Sequence, residues 1–230
     1  MSTAALNIAV LISGGGSNLQ SIIEHIERGV LQANIRLVVS NEPRAGGLER
    51  AHTHGIPTAV ISHRDYSSRE DHDAAILESL QRAGTEVVCL AGYLRLLGSS
   101  FVRTYAHRIL NIHPSLLPAF PGLDAQQQAA DSGVRISGAT VHFVDEELDH
   151  GPIIIQAAVP AYPGEGREPL ARRILAQEHR IYPQALQWLA TNRLGSDEGG
   201  RVHLLPGEDR SAFAGAPDSC LPTPPLEPGF

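Results

Sequence analysis

The stretch that organises this chain reads Ile109-Leu110-Asn111-Ile112-His113-Pro114-Ser115-Leu116-Leu117-Pro118. Its apolar beginning predicts a buried strand, and Pro114, which lacks a backbone donor, predicts the end of that strand. Side chains along a strand alternate between its two faces, so Asn111 and His113 are expected on the same side. Ligands of open α/β sheets bind beyond the carboxyl ends of strands, and this pair stands at such an end.

An amide donor beside a titratable donor suits an oxygen atom that gains negative charge during a reaction. We therefore interpret Asn111 and His113 as candidate catalytic residues. The competing interpretation is a polar strand end, with the asparagine in a turn and the histidine exposed to solvent. Both interpretations stay open at this point, because the pair alone does not define a catalytic site.

A second informative stretch lies near the N-terminus, where a short apolar run meets three glycines. Residues 6–12 predict a buried strand, Ser13-Gly14-Gly15-Gly16-Ser17-Asn18 predicts a loop, and a helix follows as far as Gly29. A strand, a glycine-rich loop and a helix N-terminus can together bind an anion. The loop lacks the Gly-Lys-Ser/Thr of a nucleoside triphosphate site, and Leu19 replaces the third glycine of the dinucleotide fingerprint. A single phosphate monoester therefore fits best, with a plain tight turn as the alternative.

The composition limits the classes of partner. The chain has 230 residues, a formal net charge of -7 and a sequence pI near 5.8. Nucleic acids need a basic patch, so this acidic balance argues against them as partners. The two cysteines, Cys89 and Cys220, cannot form a disulfide framework or a zinc-binding pattern. We see no signal-peptide pattern and no apolar stretch of membrane-spanning length, so we expect a soluble cytoplasmic protein without a membrane partner.

Strand and helix patterns alternate along the chain. They predict an α/β protein with a Rossmann-like open, mostly parallel sheet and helices on both faces. The expected strands are residues 6–12, 35–40, 58–61, 87–91, 109–113, 140–144 and 153–159, and the expected helices begin near residues 19, 48, 67, 101, 125 and 168. We expect one domain over residues 6–194 and a largely disordered C-terminal tail over residues 195–230, whose end is rich in proline.

Two further features indicate contacts with a ligand. Arg69 is expected in the first turn of a helix that Ser67 and Glu70 would cap, where the helix dipole disfavours a cation. This charge hints at a ligand carboxylate, and an ordinary solvated arginine is the alternative. The loop Gly92-Tyr93-Leu94-Arg95-Leu96-Leu97-Gly98 is unusually apolar, which predicts that it faces either a flat apolar ligand or the core.

The expected strand at residues 140–144 leads into Asp145-Glu146-Glu147-Leu148-Asp149-His150-Gly151. Four acids within five residues usually form a solvated turn. If this strand neighbours the one that carries Asn111 and His113, however, the acidic loop begins near that pair. The histidines of the chain do not have the spacing of a metal site, and His142 has no evident partner in the sequence, so we expect no metal.

Three motifs carry a resemblance to a known family: Val10-Leu11-Ile12-Ser13-Gly14-Gly15-Gly16-Ser17-Asn18-Leu19-Gln20, Leu110-Asn111-Ile112-His113-Pro114-Ser115-Leu116-Leu117-Pro118 and Leu148-Asp149-His150-Gly151-Pro152. From about Asn7 to Arg193 the chain resembles the phosphoribosylglycinamide formyltransferases, folate-dependent enzymes of purine biosynthesis. The middle motif is shared with other enzymes that use formyltetrahydrofolate, whereas the Gly-Ser-Asn loop narrows the resemblance to the glycinamide enzyme. The resemblance implies the formyltransferase fold and transfer of the formyl group of 10-formyltetrahydrofolate to the amine of glycinamide ribonucleotide.

The resemblance also implies three kinds of site residue. The catalytic trio would be Asn111, His113 and Asp149. The ribonucleotide-binding residues would be Gly16, Ser17, Asn18, Leu175, Ala176, Gln177 and Glu178. The folate-binding residues would be Arg69, Leu94, Arg95, Leu96, Leu97 and Asn111. In this assignment Glu178 bonds to the hydroxyls or the amine of the ribonucleotide.

Two positions depart from the pattern of the family. Asp124 and Gln126 stand where the family often has histidines. An ionised acid cannot serve as a neutral hydrogen-bond donor at pH 7, which puts substrate contacts from this loop in doubt. The reaction class is not affected by this difference.

The substrate amine is an α-amino group with a pKa of about 8, so its activation is not the main obstacle. We expect Asn111 and protonated His113 to donate hydrogen bonds to the oxygen of a tetrahedral adduct, and ionised Asp149 to favour the imidazolium and assist proton transfer. One rival function is a formyltetrahydrofolate hydrolase, and another is a nucleotide-binding or oxidoreductase module that uses the glycine loop. The oligomeric state stays open, with a homodimer as one option.

Overall fold

The structure, a computed structural model, describes residues 5–205, 221–223 and 226–230. The chain divides into two compact units. The first comprises Met1–Asn111 and Phe143–Glu146, and the second comprises Ile112–His142 and Glu147–Phe230. The division falls within a single strand, so residues next to each other in the central motif belong to different units.

The first unit contains a parallel sheet. Its strands are β1 (Leu6–Ile12), β2 (Ala33–Ser40), β3 (Thr58–Val60), β4 (Val87–Leu90) and the first part of β5 (Ile109–His113). Strand β1 pairs with β2 on one side and with β4 on the other, while β3 pairs with β2 and β5 pairs with β4. The strand order in this unit is therefore β3-β2-β1-β4-β5, with every pair parallel.

Four helices alternate with these strands in sequence. They are α1 (Ser17–Glu27), α2 (Gly46–Thr53), α3 (Arg69–Arg82) and α4 (Ser99–Thr104), and a short 3-10 helix lies at His63–Asp65. The core cluster packs Ile76 of α3 and Phe101 of α4 against sheet residues such as Leu11, and all three are fully buried. Strands of a parallel sheet are buried on both faces, which explains why β1 and β4 read as unbroken apolar runs.

The second unit contains α5 (Ala125–Asp131), β6 (Ile136–Phe143), β7 (Ile153–Pro160) and the long helix α6 (Arg167–Ala190). Strands β6 and β7 are antiparallel. They approach closely at Gly138, where a Cβ atom would lie 2.0 Å from the carbonyl oxygen of Ala157. Helix α6 buries Tyr182 and Trp188 completely, so its apolar stripe belongs to the core of this unit.

The predicted fold class, an α/β protein with an open, mostly parallel sheet, is confirmed. All seven expected strands and all six expected helices are present, with boundaries shifted by a few residues. The predicted cap of α3 is wrong by one position, because Ser68 and not Ser67 accepts the backbone hydrogen bond from Asp71 over 3.1 Å. Both serine hydroxyls donate to the Asp71 carboxylate, which lowers the pKa of that acid.

The expectation of a largely disordered tail is wrong for part of residues 195–230. Strands β8 (Leu194–Ser196) and β9 (Val202–Leu204) form an antiparallel pair, and β10 (Leu221–Thr223) pairs antiparallel with β7. Leu204 is buried and Arg193 forms an ion pair with Glu227, so apolar burial and charge pairing order this region. Residues 206–220 and 224–225 lie outside the described residues, and the boundary between domain and tail stays a prediction. Among the helices of the described part, none has the length and apolar character that a bilayer crossing requires.

The close approach of Gly16, in the glycine loop after β1, to Gly47 can be tested by mutation. Gly16 has a φ of 71°, and a Cβ atom there would lie 2.6 Å from the Cα of Gly47. We expect Gly16→Ala to lower the free energy of unfolding by about 2–4 kcal/mol, because backbone strain and a backbone clash add together. Denaturant titration measures this free energy.

Two control variants separate these effects. Gly29→Ala has a similar φ of 73° but no atom within 4 Å of the new Cβ, so it reports the strain alone. Gly15→Ala likewise meets nothing within 4 Å. If Gly16→Ala and Gly29→Ala lowered the free energy of unfolding equally, the clash between Gly16 and Gly47 would be contradicted.

Candidate active site

The glycine loop forms a helix N-terminus that is open to solvent. Helix α1 begins at Ser17, and Gly16 occupies its N-cap position in the left-handed conformation. Gly14 and Gly15 are exposed, and Gly47 holds the loop through a hydrogen bond from its amide to the Gly14 carbonyl over 3.1 Å. The structure therefore brings Gly16, Ser17 and Asn18 together at the positive end of α1, as an anion site requires.

The sequence analysis did not identify Arg50 as part of this region. Its Nε atom donates to the Gly15 carbonyl over 2.8 Å, so a cation from α2 lies beside the glycine loop. The arginine is exposed and far from the loop in sequence, and nothing in the local pattern around it indicated this contact. Its charge adds to the attraction of the loop for an anion.

The loop at residues 92–98 lies partly in the core and is partly exposed to solvent. Leu94 and Leu96 are 65% and 55% exposed, and Arg95 is exposed as well. Tyr93 and Leu97, in contrast, pack against the core of the first unit. The loop therefore has an apolar exposed side and a buried side, and burial raises the pKa of the Tyr93 hydroxyl.

Arg69 lies beside the end of this loop, as the first residue of α3. A Cβ atom at Gly98 would lie 4.0 Å from the Arg69 Nε and 3.0 Å from an oxygen of Asp73. Asp73 follows Arg69 by one helical turn and is 5% exposed. Burial raises the pKa of Asp73, and a hydrogen bond from the Gly98 amide and the charges of His72 and Arg69 oppose that shift.

The second unit contains a buried imidazole whose two nitrogens face protein atoms. His113 is 5% exposed, and its Nε2 lies 2.8 Å from the carbonyl oxygen of Phe120. A carbonyl only accepts hydrogen bonds, so Nε2 must be protonated and donate. The other nitrogen, Nδ1, lies 3.4 Å from Oδ2 of Asp149. The predicted pair of His113 and Asp149 is therefore brought together.

The structure describes contacts of Asp149 with His113, Gly122 and His142. Its side chain is 8% exposed, its Oδ2 accepts from the Gly122 amide over 2.8 Å, and its Oδ1 lies 3.8 Å from Nε2 of His142. The sequence analysis gave His142 no partner, yet it is 1% exposed and faces the same carboxylate. A histidine between Val141 and Phe143, close to the carboxyl end of a buried strand, was the signal that could have indicated it.

The segment between His113 and α5 is positioned by hydrogen bonds from β6 and β7. The Thr140 hydroxyl donates to the Ser115 carbonyl over 2.7 Å and accepts from the Leu117 amide over 3.1 Å. Gln156 donates to the Leu117 carbonyl over 2.9 Å. These bonds place the backbone that leads to Phe120 and Gly122, whose groups hold the imidazole and the carboxylate.

Asn111 ends the longer of the two segments that make up the first unit and is half-buried. In register it pairs with Leu90 of β4, which places it at the carboxyl end of the parallel strands. It belongs to the same strand, β5, as His113 and precedes it by two residues. The expectation that the two side chains share one side of β5 rests on strand alternation and stays a prediction.

The predicted ribonucleotide contacts on α6 do not form one surface. Leu175, Ala176, Gln177 and Glu178 are consecutive helical residues, which point in directions about 100° apart. Only Glu178 is buried, at 6% exposure, whereas Ala176 is exposed. Gln177 accepts a hydrogen bond from Arg180 over 3.0 Å. Glu178 is therefore the one buried side chain among these four residues.

The two departures from the family pattern lie at the beginning of α5. Asp124 has a φ of 57° and its carboxylate lies 3.4 Å from the Arg167 guanidinium. Both side chains are largely exposed, so this ion pair contributes little stability. Gln126 is half-buried in the first turn of α5. Neither residue contacts His113 or Asp149 through a hydrogen bond that the structure describes.

The two units carry features of one class of protein. A parallel α/β unit with a glycine loop before a helix N-terminus is typical of enzymes that bind phosphorylated small molecules. A buried imidazole–carboxylate pair is typical of enzymes that transfer protons while a bond is made or broken. The chain therefore has the characteristics of a group-transfer enzyme.

Comparison with known proteins identifies the family. A profile described as formyl transferase matches residues 6–186, most of the chain. The chain therefore belongs to the formyl transferase family. The resemblance inferred from the three sequence motifs is confirmed by the relatives of the chain.

Two relatives are similar over most of their own length. The phosphoribosylglycinamide formyltransferase of Escherichia coli (strain K12) is 45% identical, over 85% of this chain and 91% of that protein. The crystal structure of glycinamide ribonucleotide transformylase 1 from Symbiobacterium toebii superposes with a TM-score of 0.86 and 49% identity, over 89% of this chain and 96% of that one.

A third relative is much longer. The trifunctional purine biosynthetic protein adenosine-3 of Bos taurus is 47% identical over 85% of this chain, which covers 19% of that protein. The chain thus spans about a fifth of the length of this relative.

The buried carboxyl group of Asp73, beside the loop at residues 92–98, gives a prediction on stability. Burial raises the pKa of Asp73 above its ordinary value of 3.8, so between these two values the unfolded chain binds fewer protons than the folded chain. The free energy of unfolding should therefore fall as the pH rises from 3.8 through the raised folded-state pKa. Asp73→Asn removes this decrease, and denaturant titrations of both proteins across that pH range measure it.

At neutral pH the Asp73→Asn variant should consequently be at least as stable as the wild type. A wild-type stability that rises relative to the variant over the same pH range would contradict the direction of the shift.

Proposed function

We propose that the chain transfers the formyl group of 10-formyltetrahydrofolate to the amine of glycinamide ribonucleotide. The products are formylglycinamide ribonucleotide and tetrahydrofolate, a step of de novo purine biosynthesis. The observation that carries the proposal is the buried pair of His113 and Asp149. His113 follows Asn111 by two residues on β5, and the chain belongs to the formyl transferase family.

The proposal assigns the ribonucleotide phosphate to the N-terminus of α1. The amides of Gly16, Ser17 and Asn18 and the dipole of α1 support a single phosphate group there, and Arg50 adds a cation. Glu178 is assigned to the hydroxyls or the amine of the ribonucleotide, because a buried carboxylate on α6 is suited to accept hydrogen bonds. Leu175, Ala176 and Gln177 remain members of this proposed contact region.

The proposal assigns the folate to the loop at residues 92–98 and to Arg69. The exposed side chains of Leu94 and Leu96 offer apolar surface to a flat ring, and the backbone at Arg95 and Leu97 offers hydrogen bonds to its edge. Arg69 is exposed beside this loop, where its guanidinium can bind a carboxylate of the folate in two-point fashion.

In the proposed reaction the neutral amine attacks the formyl carbon and a tetrahedral adduct forms, with a negative oxygen and a positive nitrogen. The side-chain amide of Asn111 and the imidazolium of His113 donate hydrogen bonds to that oxygen. Asp149 stabilises the imidazolium and assists the proton's passage from the attacking nitrogen to the folate nitrogen. The bond between the formyl carbon and that folate nitrogen then breaks, and tetrahydrofolate leaves.

One contact has to change during this reaction. Nε2 of His113 already donates to the Phe120 carbonyl, so it can donate to the adduct only by exchanging that acceptor for the formyl oxygen. A hydrogen bond to a charged oxygen is roughly twice as strong as one to a neutral carbonyl, which favours the exchange as negative charge develops. The free state thus keeps the imidazole oriented without an unsatisfied donor.

The proposal also covers the partners, the cellular location and the oligomeric state of the protein. The acidic net charge supports small-molecule substrates without nucleic acid, and we propose action in the cytoplasm with 10-formyltetrahydrofolate as cosubstrate and without a metal. A homodimer stays an option that size measurement in solution would decide.

The decisive assay follows the release of tetrahydrofolate from 10-formyltetrahydrofolate with and without glycinamide ribonucleotide. A transferase releases it only when the ribonucleotide is present, because water is not the acceptor. Equal release without the ribonucleotide would favour the hydrolase, and tight nicotinamide dinucleotide binding without release would favour the oxidoreductase module.

Substitution of the catalytic trio should separate activity from folding. We expect Asn111→Ala to lower kcat by about 10²–10³, the usual effect of losing one oxyanion donor, and Asp149→Asn to lower it by about 10²–10⁴. Glu147→Gln, an exposed acid two residues before Asp149, serves as the matched control and should keep the wild-type kcat. Near wild-type kcat in Asn111→Ala would show that the oxyanion role is wrong.

The assignment of Arg69 predicts an asymmetric effect on the two substrates. Arg69→Ala should raise the KM for 10-formyltetrahydrofolate by about tenfold, the loss expected for a charged hydrogen bond, and leave the KM for the ribonucleotide unchanged. Arg82→Ala, at the other end of α3 and also exposed, is the matched control. A larger effect on the ribonucleotide would refute the assignment.

A further inference from the structure

The loop at residues 92–98 is exposed on one side yet anchored at both ends. At its beginning the Ser13 amide donates to the Gly92 carbonyl over 3.0 Å, and the Leu94 amide donates to the Ser13 hydroxyl over 2.8 Å. At its end the Gly98 amide donates to Oδ2 of Asp73 over 2.6 Å. The exposed part of the loop therefore lies between two fixed points. Ser13 holds the Leu94 amide, and Asp73 holds the Gly98 amide.

The Ser13 anchor is itself oriented by a directional chain of hydrogen bonds. The Ser13 hydroxyl donates its single proton to Oδ1 of Asn41 over 2.5 Å, which leaves its lone pairs for the Leu94 amide. Asn41 is 3% exposed, and its Nδ2 lies 3.4 Å from Nδ1 of His63. Partial burial and the charges of Arg95 and Arg64 lower the pKa of His63, so that its Nδ1 is available as an acceptor.

This chain of bonds leaves the Ser13 hydroxyl with one orientation. Asn41 presents its oxygen to Ser13 because its amine is used by His63, and the serine must then accept from the loop. The glycines of the glycine loop are held by Gly47, which approaches Gly16 closely and donates its amide to the Gly14 carbonyl. The Ser13 hydroxyl instead bonds the loop at residues 92–98.

The Asp73 anchor is costly for stability. Its carboxylate is buried, and Nδ1 of His72 lies 3.9 Å from one of its oxygens. A buried acid whose ionisation is disfavoured does not stabilise a fold as well as a neutral residue of similar size. Its oxygen nevertheless holds the last amide of the loop, one helical turn from Arg69. A role in positioning the loop accounts for an acid at this place.

We propose that Ser13 and Asp73 are positioning residues for the folate substrate, which act by holding the backbone of residues 92–98 in its binding conformation. The inference rests on the proposed function, because that function assigns the folate to this loop. Neither residue needs to contact the substrate. Ser13 sets the beginning of the loop, and Asp73 sets its end beside the arginine that binds the folate carboxylate.

The test uses four variants of the full chain. Ser13→Ala and Asp73→Ala each remove one anchor, whereas Asp73→Asn keeps an oxygen for the Gly98 amide and removes only the charge. Ser40→Ala is the matched control, because Ser40 ends the neighbouring strand and its hydroxyl bonds only the backbone of Glu42 among the partners described. It loses bonds of the same kind without affecting the loop.

We expect each alanine variant at Ser13 and Asp73 to raise the KM for 10-formyltetrahydrofolate about three- to tenfold, the effect of one lost hydrogen bond, and to change the ribonucleotide KM by less than about twofold. Asp73→Asn and Ser40→Ala should keep the wild-type folate KM. Amide hydrogen exchange provides a second readout: the Leu94 amide should exchange faster in Ser13→Ala, and the Gly98 amide in Asp73→Ala.

Three results would overturn the inference while the proposed function stands: wild-type transfer with an unchanged folate KM in both alanine variants, equal rises in both KM values, or an Asp73→Asn variant as impaired as Asp73→Ala. Absence of formyl transfer by the wild type would overturn the proposed function, and the folate role of both residues with it.

Discussion

The hydrogen bond from Nε2 of His113 to the Phe120 carbonyl determines what the buried site can do. Because a carbonyl cannot donate, this bond assigns the Nε2 proton, and Nδ1 is left to face Asp149 over 3.4 Å. The imidazole is therefore oriented before any substrate is present. In the proposed mechanism, the Nε2 proton is the one that a substrate oxygen accepts in place of the carbonyl.

The backbone around this pair is held in uncommon conformations. Phe120 and Asp149 have φ values of 54° and 49°, in the left-handed region that residues other than glycine rarely adopt. Such conformations cost on the order of 1–3 kcal/mol each and persist only where surrounding contacts enforce them. Here the enforcing contacts are the bonds from Thr140 and Gln156 and the bond between the Gly122 amide and Asp149. The cost is located at the two groups that orient the imidazole.

Much of this arrangement could be predicted from sequence, because it depends on local patterns. The apolar runs of β1 and β4 and the proline after His113 indicated parallel strands and their ends, and the pairing of Asp149 with His113 followed from the family resemblance. Arg50 was missed because its partner Gly15 is 35 residues away in the chain. His142 was missed because it lies outside the motifs, and only the path of the loop after β6 brings Asp149 back to it. The ordered pair β8 and β9 was missed because a composition rich in proline further along suggested disorder. Tertiary contacts, not local propensity, decide these features.

The orientation of His113 can be measured directly by nuclear magnetic resonance of the full chain labelled with ¹⁵N at histidine, with His113→Asn to assign the resonances. The account predicts that Nε2 carries the proton in the free protein, and that the Nε2 resonance shifts when ribonucleotide and folate are bound together, because its acceptor changes from the Phe120 carbonyl to a substrate oxygen. A free protein in which Nε2 is the unprotonated nitrogen, or an Nε2 environment that substrates leave unchanged, would contradict it.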